Sequence, residues 1–156
     1  MSKKEDKVSQ LLATIANTMG FFSHPNMEAL VKIAKEKPDK RIIPGLIEIV
    51  KKSSNYAARC LALDALGQIG GDSRIIPTML EVMKNETEFT VRRFAFSSFM
   101  NLDENLVGKN KEVLPVLEDM IYNESDFGAK TLALRAYRKY AKSEQAVKVL
   151  TEIIKI

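Results

Sequence analysis

An all-α fold built from repeated helix pairs is predicted by three observations. The first is a recurring stretch. Asp39-Lys40-Arg41-Ile42-Ile43-Pro44, followed by Ala58-Arg59-Cys60-Leu61-Ala62, returns as Asp72-Ser73-Arg74-Ile75-Ile76-Pro77 and Val91-Arg92-Arg93-Phe94-Ala95. It returns again around Val113-Leu114-Pro115 and Ala129-Lys130-Thr131-Leu132-Ala133. The second is the spacing, because both halves move together: by 33 positions (44 to 77, 58 to 91), then by 38 (77 to 115, 91 to 129). The third is a set of aligned cap residues. Asp39, Asp72, Asn110 and Ser143 each lie five positions before the proline position, which Lys148 occupies in the last copy. Ser54, Thr87 and Ser125 share one position ahead of the second helices. All seven can accept a hydrogen bond from an orphan helix N–H, each worth about 1 kcal/mol.

The elements follow in order. Residues 1–7 are charged and expected to fray. From Val8 to Phe22, Leu12, Ile15, Ala16 and Met19 fall on one helical stripe. Ser23-His24-Pro25-Asn26 reads as a turn, and Pro25 suits the first turn of a helix carrying Ala29, Leu30, Ile33 and Ala34. These two helices form a degenerate first repeat, about 8–36. First helices are expected at about 40–52, 73–85 and 111–123, and second helices at about 55–69, 88–102 and 126–141, within repeats 39–70, 72–102 and 110–141. A terminal helix, 143–156, carries Ala146, Val147, Leu150, Ile153 and Ile154 with no second helix after it. Pro44, Pro77 and Pro115 each remove a backbone donor and are expected to kink or tighten the first turn. The five-residue excess falls in 103–109, read as a surface loop. Gly67-Gln68-Ile69-Gly70-Gly71 follows a helix rather than a strand, so it is a helix end and not a phosphate loop.

One helix pair cannot bury both of its apolar stripes, so stacking must create the core. Ile43, Leu46, Ile49 and Val50 make the first-helix stripe, and Ala58, Leu61, Ala62, Ala65, Leu66 and Ile69 the second. Ala62, Ala95 and Ala133 share a position where close helix approach is expected. The chain, with 156 residues, is expected to be one domain across 1–156, and 46% hydrophobic with 28% charged residues fits a soluble globular protein. A net charge of +4 weakly favours an acidic partner. The single Cys60 excludes an intramolecular disulfide and suits a reducing compartment. No apolar run has membrane-span length, and Met1–Lys7 lacks an apolar signal region. The expected location is the cytoplasm.

Paired helices with Ile-Ile-Pro-x-x-x-Glu, then Ala/Val-Arg-x-x-Ala-x-x-Ala-Leu-Gly, resemble HEAT repeats, and most closely the short form of phycobilin-lyase-like proteins. The resemblance covers about 39–156 well and 8–38 loosely. It implies a right-handed α-solenoid (an armadillo-like superhelix) whose second helices line the concave side.

By helical angle, the second-helix residues expected to face outward are Cys60, Asp64, Gly67 and Gln68, then Arg93, Ser97, Met100 and Asn101, then Thr131, Arg135, Arg138 and Lys139. The last set is basic: 130–142 holds Lys130, Arg135, Arg138, Lys139 and Lys142 and no carboxylate. This stripe reads either as a solvated face or as a docking site for an acidic partner. Arg59, Arg92 and Lys130 share one position and are expected to tie neighbouring repeats, to the repeated Glu48, Glu81, Asp119 and Glu152. His24 is the one histidine and reads as a turn residue, which leaves no zinc set and no Ser-His-Asp or Cys-His site. Cys60 reads as a small helix residue. Phe21-Phe22 and the flank of the last helix are candidate apolar surfaces for end-to-end self-association, against the plainer reading of a capping helix with an inward stripe.

The function expected is a non-catalytic protein–protein interaction scaffold. Its partner face uses Arg93, Met100, Arg135, Arg138 and Lys139, with no catalytic residue, metal or cofactor. The alternatives are nucleic-acid or phosphate binding through the basic C-terminal repeat, and an enzyme of the bilin-lyase or alkylpurine-glycosylase kind, which only the resemblance suggests. The chain has no Trp, and Tyr137 and Tyr140 read as core or flanking residues rather than glycosylase residues.

Overall fold

The computed structural model of the chain describes residues 3–18, 25–37 and 39–155. Its elements are α1 (Lys3–Ala16), α2 (Pro25–Glu36), α3 (Ile42–Lys52), α4 (Tyr56–Ile69), α5 (Ile75–Asn85), α6 (Phe89–Phe99), α7 (Glu104–Gly108), α8 (Val113–Asn123), α9 (Phe127–Tyr140) and α10 (Ser143–Ile154). No strand occurs among the described residues. The expected turn at Ser23-His24, the residues Met19, Phe21 and Phe22, and Ile156 lie outside the described residues.

The helices pack in two layers. α1, α3, α5 and α8 touch in succession, as do α2, α4, α6 and α9, and each pair is closed by contacts between its own two helices. The chain is therefore an all-α solenoid of stacked pairs, with α1 and α2 forming the first. α1 begins at Lys3, earlier than the charged start suggested, and Val8, Leu11 and Ile15 bury its inner face. Gly45 makes room for it: a Cβ there would lie 2.7 Å from Leu12 Cδ1. In α2 the buried residues are Met27, Leu30 and Val31, so its stripe is rotated from the one expected.

Apart from Ile69, which is half-buried, the first- and second-helix stripes bury as expected, down to Ala62, Ala95 and Ala133 at 0% exposure. Their helices meet in one continuous apolar core. At about 25 cal/mol per Å² of apolar surface buried, this stacking outweighs the individual polar contacts.

The helix starts differ in detail from the expected caps. Asp39, Asp72 and Asn110 accept from the amides of Arg41, Arg74 and Glu112, each at 2.9 Å. Their own carbonyls accept from Ile42, Ile75 and Val113. Each residue thus closes a tight turn just ahead of its helix. Arg41 and Arg74 also fork onto the Asp39 and Asp72 carboxylates, which lie below their usual pKa, chiefly through those side-chain hydrogen bonds. Ser143 is not a cap. It lies inside α10, and Gln145 Oε1 takes the amide of the N-cap residue Lys142 at 3.2 Å.

The second helices are capped by Asn55, Glu88 and Asp126, one residue after Ser54, Thr87 and Ser125. The reason lies in the preceding helix end. Its last position, Ser53, Glu86 or Glu124, accepts the amide two residues on (3.1, 2.9 and 2.9 Å), which fixes the cap there.

Pro44, Pro77 and Pro115 produce no kink requirement. With helix starts at 42, 75 and 113, they sit in the first turn, where an N–H has no intrahelical acceptor. The insertion is not a loop either. Asp103 caps α7 by accepting from Leu106 N–H at 3.0 Å, Val107 is buried, and α7 packs against α9. The glycine-rich stretch ends α4, with Gly70 and Gly71 at φ 61° and 78°, a conformation that favours glycine.

The repeated arginines do tie the repeats, but to other carboxylates than those expected. Arg59 Nε donates to Val50 O (2.8 Å) and its Nη2 to Glu86, while Arg92 Nε donates to Met83 O (2.7 Å) and its Nη2 to Glu124. Each guanidinium thereby joins the end of its own first helix to the end of the next one. Glu81 and Asp119 also bridge repeats, but to Lys51 and Lys84 at 3.8 and 3.7 Å on the exposed surface, where such pairs contribute little. Glu48 pairs with Lys52, and Glu152 accepts from the Tyr122 hydroxyl at 2.5 Å. The clasps are shielded, with side chains only 10–15% exposed. Burial alone would raise the Glu86 pKa; the Glu88 amide and Arg59 more than offset it and hold it low. Arg92, first among its neighbours, holds Glu124 low.

Candidate functional site

The layer of second helices carries the candidate face. α4 is nearly surrounded, touching α1, α2, α3, α5 and α6. Consequently Cys60 and Gly67, expected to face outward, are buried, while Asp64 is half-buried and Gln68 exposed. A helical angle taken for one helix places Cys60 outside, but that side of α4 faces its neighbour in the array. Burial pushes the Cys60 thiol up to about 11, which keeps it in the protonated, weakly nucleophilic form at neutral pH.

On α6 and α9 the expected face is open. Arg93, Ser97, Asn101, Thr131, Arg135, Arg138 and Lys139 are exposed and Met100 is half-buried. The structure brings Arg93, Met100 and Arg135 together. With Phe96, Ser97, Asn101 and Leu132 they line a cavity of about 280 Å³ between α6 and α9. A second cavity of about 340 Å³, lined by Phe89, Thr90, Arg93, Phe94 and Ser97, shares Arg93 and Ser97 with the first. Among the described residues no carboxylate lines either one.

Lys139 and Arg138 stand apart. Lys139 Nζ donates to Met100 O and lies 5.2 Å from the Tyr140 ring centroid, so it is committed to closing the end of α6. Tyr140 completes that closure. Its hydroxyl shares its one proton between Phe99 O (2.6 Å) and Leu102 O (3.1 Å), and its ring meets Phe99 edge-on at 5.2 Å. Arg138 is exposed but lines neither cavity.

The arginines divide cleanly. Of seven in the chain, Arg41, Arg59, Arg74 and Arg92 are held by carboxylates. Arg93, Arg135 and Arg138 make no ion pair among the described residues, and all three lie on α6 and α9. An unpaired guanidinium keeps its planar fork available for a carboxylate or phosphate.

Sequence reasoning missed the aromatic row. Tyr56, Phe89 and Phe127 open the three second helices at one aligned position and are 50%, 49% and 82% exposed. The same 33- and 38-residue shifts that revealed the repeat could have revealed them. Phe89 rests on the start of α9, with its ring 3.4 Å from a Cβ position at Gly128, whereas no described element covers Phe127 in the same way. The flank of α10 is also open. Ala146, Val149 and Ile153 turn inward, while Val147 and Ile154 are 62% and 85% exposed and Leu150 lies beside them.

No group of three or more metal-binding side chains occurs among the described residues, and none of the described helices is long and apolar enough to cross a membrane. The family model for HEAT repeats matches residues 43–138. No curated protein and no solved structure matches the chain.

Proposed function

From a chain that belongs to the HEAT-repeat family, whose members generally serve as protein-interaction scaffolds, we propose a non-catalytic scaffold that binds a protein partner on the α6–α9 part of its second-helix face. The single observation that carries this reading is the meeting of Arg93, Met100 and Arg135 at one groove with no carboxylate among the described residues of its lining. Arg138 and the tethered Lys139 extend the positive field around it and favour an acidic partner. We take residues 1–156 as one domain, and the buried single thiol fits a reducing compartment such as the cytoplasm.

The test is capture of native partners by the wild type and by R93E/R135E, with and without nuclease. The expected result is a protein retained through nuclease treatment by the wild type and lost by the variant. Capture abolished by nuclease, with affinity falling steeply as salt rises, would instead assign the arginines to nucleic acid. A second surface is favoured by the exposure of Phe127, Val147 and Ile154, and we assign it to self-association between chains. Sedimentation velocity should show association that V147D/I154D abolishes; a monomer at high concentration removes this second reading.

A further inference from the structure

We propose that the groove takes a short extended peptide in which acidic and apolar side chains alternate, a deepening that rests on the scaffold reading above. Three observations define the occupant. The polar groups at its rim are cationic: Arg93 and Arg135 approach from α6 and α9, exposed and without an ion pair among the described residues, and no carboxylate among the described residues lines the groove beside them. The floor between them is apolar, formed by Phe96, Met100 and Leu132. The groove continues past Arg93 to a second apolar recess, where Phe89 and Phe94 stand beside Thr90 and Ser97.

These features select against other ligands. A uniformly anionic polymer would satisfy the two guanidinium groups but leave both apolar recesses facing water. A plain apolar segment would bury the recesses but leave the arginines unanswered. A segment alternating the two kinds of side chain satisfies both, because successive side chains of an extended chain point to opposite sides. The length agrees. From Phe89 to Asn101 the groove follows the line of α6 for about 18 Å at 1.5 Å per residue, the reach of about five or six extended residues. Ser97, exposed beside Arg93, and Asn101 supply hydrogen-bonding groups along that path. Alignment of the second helices shows why the groove forms here. Gly67 draws α6 close onto α4, whereas its counterpart Met100 holds a side chain between α6 and α9.

The test is selection from a random peptide display library on the intact protein, followed by fluorescence polarisation with the selected peptides. Enrichment of acidic–apolar sequences is expected, with affinity at least about tenfold weaker for R93E/R135E and for M100D, and a smaller loss for R138E, which alters the surrounding field but not the groove lining. Far-ultraviolet circular dichroism and thermal unfolding of each variant establish that the fold is retained. Enrichment of any other class, no enrichment, or acidic–apolar binding that survives R93E/R135E would overturn the proposal. The two readings separate experimentally. A folded-protein partner lost on R93E/R135E while the library yields no acidic–apolar class would leave the scaffold standing and remove the peptide. The absence of any nuclease-resistant partner dependent on these arginines would remove the scaffold itself.

Discussion

Two junctions within the layer of second helices, α4–α6 and α6–α9, solve the same problem differently. Between α4 and α6 the contact is the longer of the two, and at Gly67 an added Cβ would lie 2.8 Å from Ser98 O. Between α6 and α9 the contact is shorter, Met100 occupies the aligned position, and Lys139 and Tyr140 reach across to the carbonyls at the end of α6. The first junction is held by packed backbone, the second by side chains gripping a helix end. A groove opens at the second. The same arginine clasp underlies both, so the residues that hold the repeats together are not those that line the groove.

The clasps should be the largest shared term. Arg59→Ala and Arg92→Ala each strand a shielded carboxylate and free a helix-end carbonyl, and each should cost about 3 kcal/mol in urea unfolding. A large inequality between them would break the view that the clasp is common to both junctions. Next comes Gly67→Val, which should cost about 2 kcal/mol by overpacking against Ser98. Met100→Val should cost under about 1 kcal/mol, since a half-exposed side chain has room to adjust. Equal costs at the two positions would erase the difference in packing. Tyr140→Phe removes the proton shared between two backbone carbonyls and should cost about 1 kcal/mol. Its effect should be local: hydrogen exchange should quicken at the ends of α6 and α9 and leave α3 and α4 unchanged.

The acid limb is the gentlest probe. Asp39, Asp72, Glu86 and Glu124 have lowered values in the folded state, so the unfolded chain binds more protons below pH of about 4.5. Their stabilisation is present above the unfolded values and lost as pH falls through the folded ones. Thermal midpoints should decline in that range, and Glu86→Gln/Glu124→Gln should make the decline shallower. An unchanged slope would mean that the clasp carboxylates are not held low.

Most of the architecture was legible because helix pairs repeat in register. The starts and ends of α3 to α6 and of α8 to α10 fall within a few residues of the expected bounds, since apolar spacing reports a local period. What escaped is what depends on neighbours. Cys60 and Gly67 were placed outside because one helix in isolation has an outside, and α4 in the array hardly does. Glu86 and Glu124 were passed over as clasp partners because they belong to helix ends, while Glu48 and Glu81 lie on conspicuous helix faces. For the candidate face, Arg93, Met100 and Arg135 do share a groove, whereas Lys139 is engaged elsewhere and Arg138 lies outside it. Residue type alone gave no sign of that division, because pairing depends on where carboxylates and carbonyls come to lie.

The clasp also gives the array a direction of reading. The middle pair, α5 with α6, carries both halves: Glu86 to receive and Arg92 to give. The pair before it has Ser53 where the acid would be, so it can give through Arg59 but not receive. The pair after it receives at Glu124 but has Lys130 at the giving position, with no ion pair among the described residues. Shuffled modules would therefore not be interchangeable. A duplicated α5–α6 module could be spliced in tandem with every clasp intact, whereas a duplicate of either neighbour would leave one clasp unmade, so among the described residues the ladder of clasps has one unit able to extend it and a unit on each side that ends it.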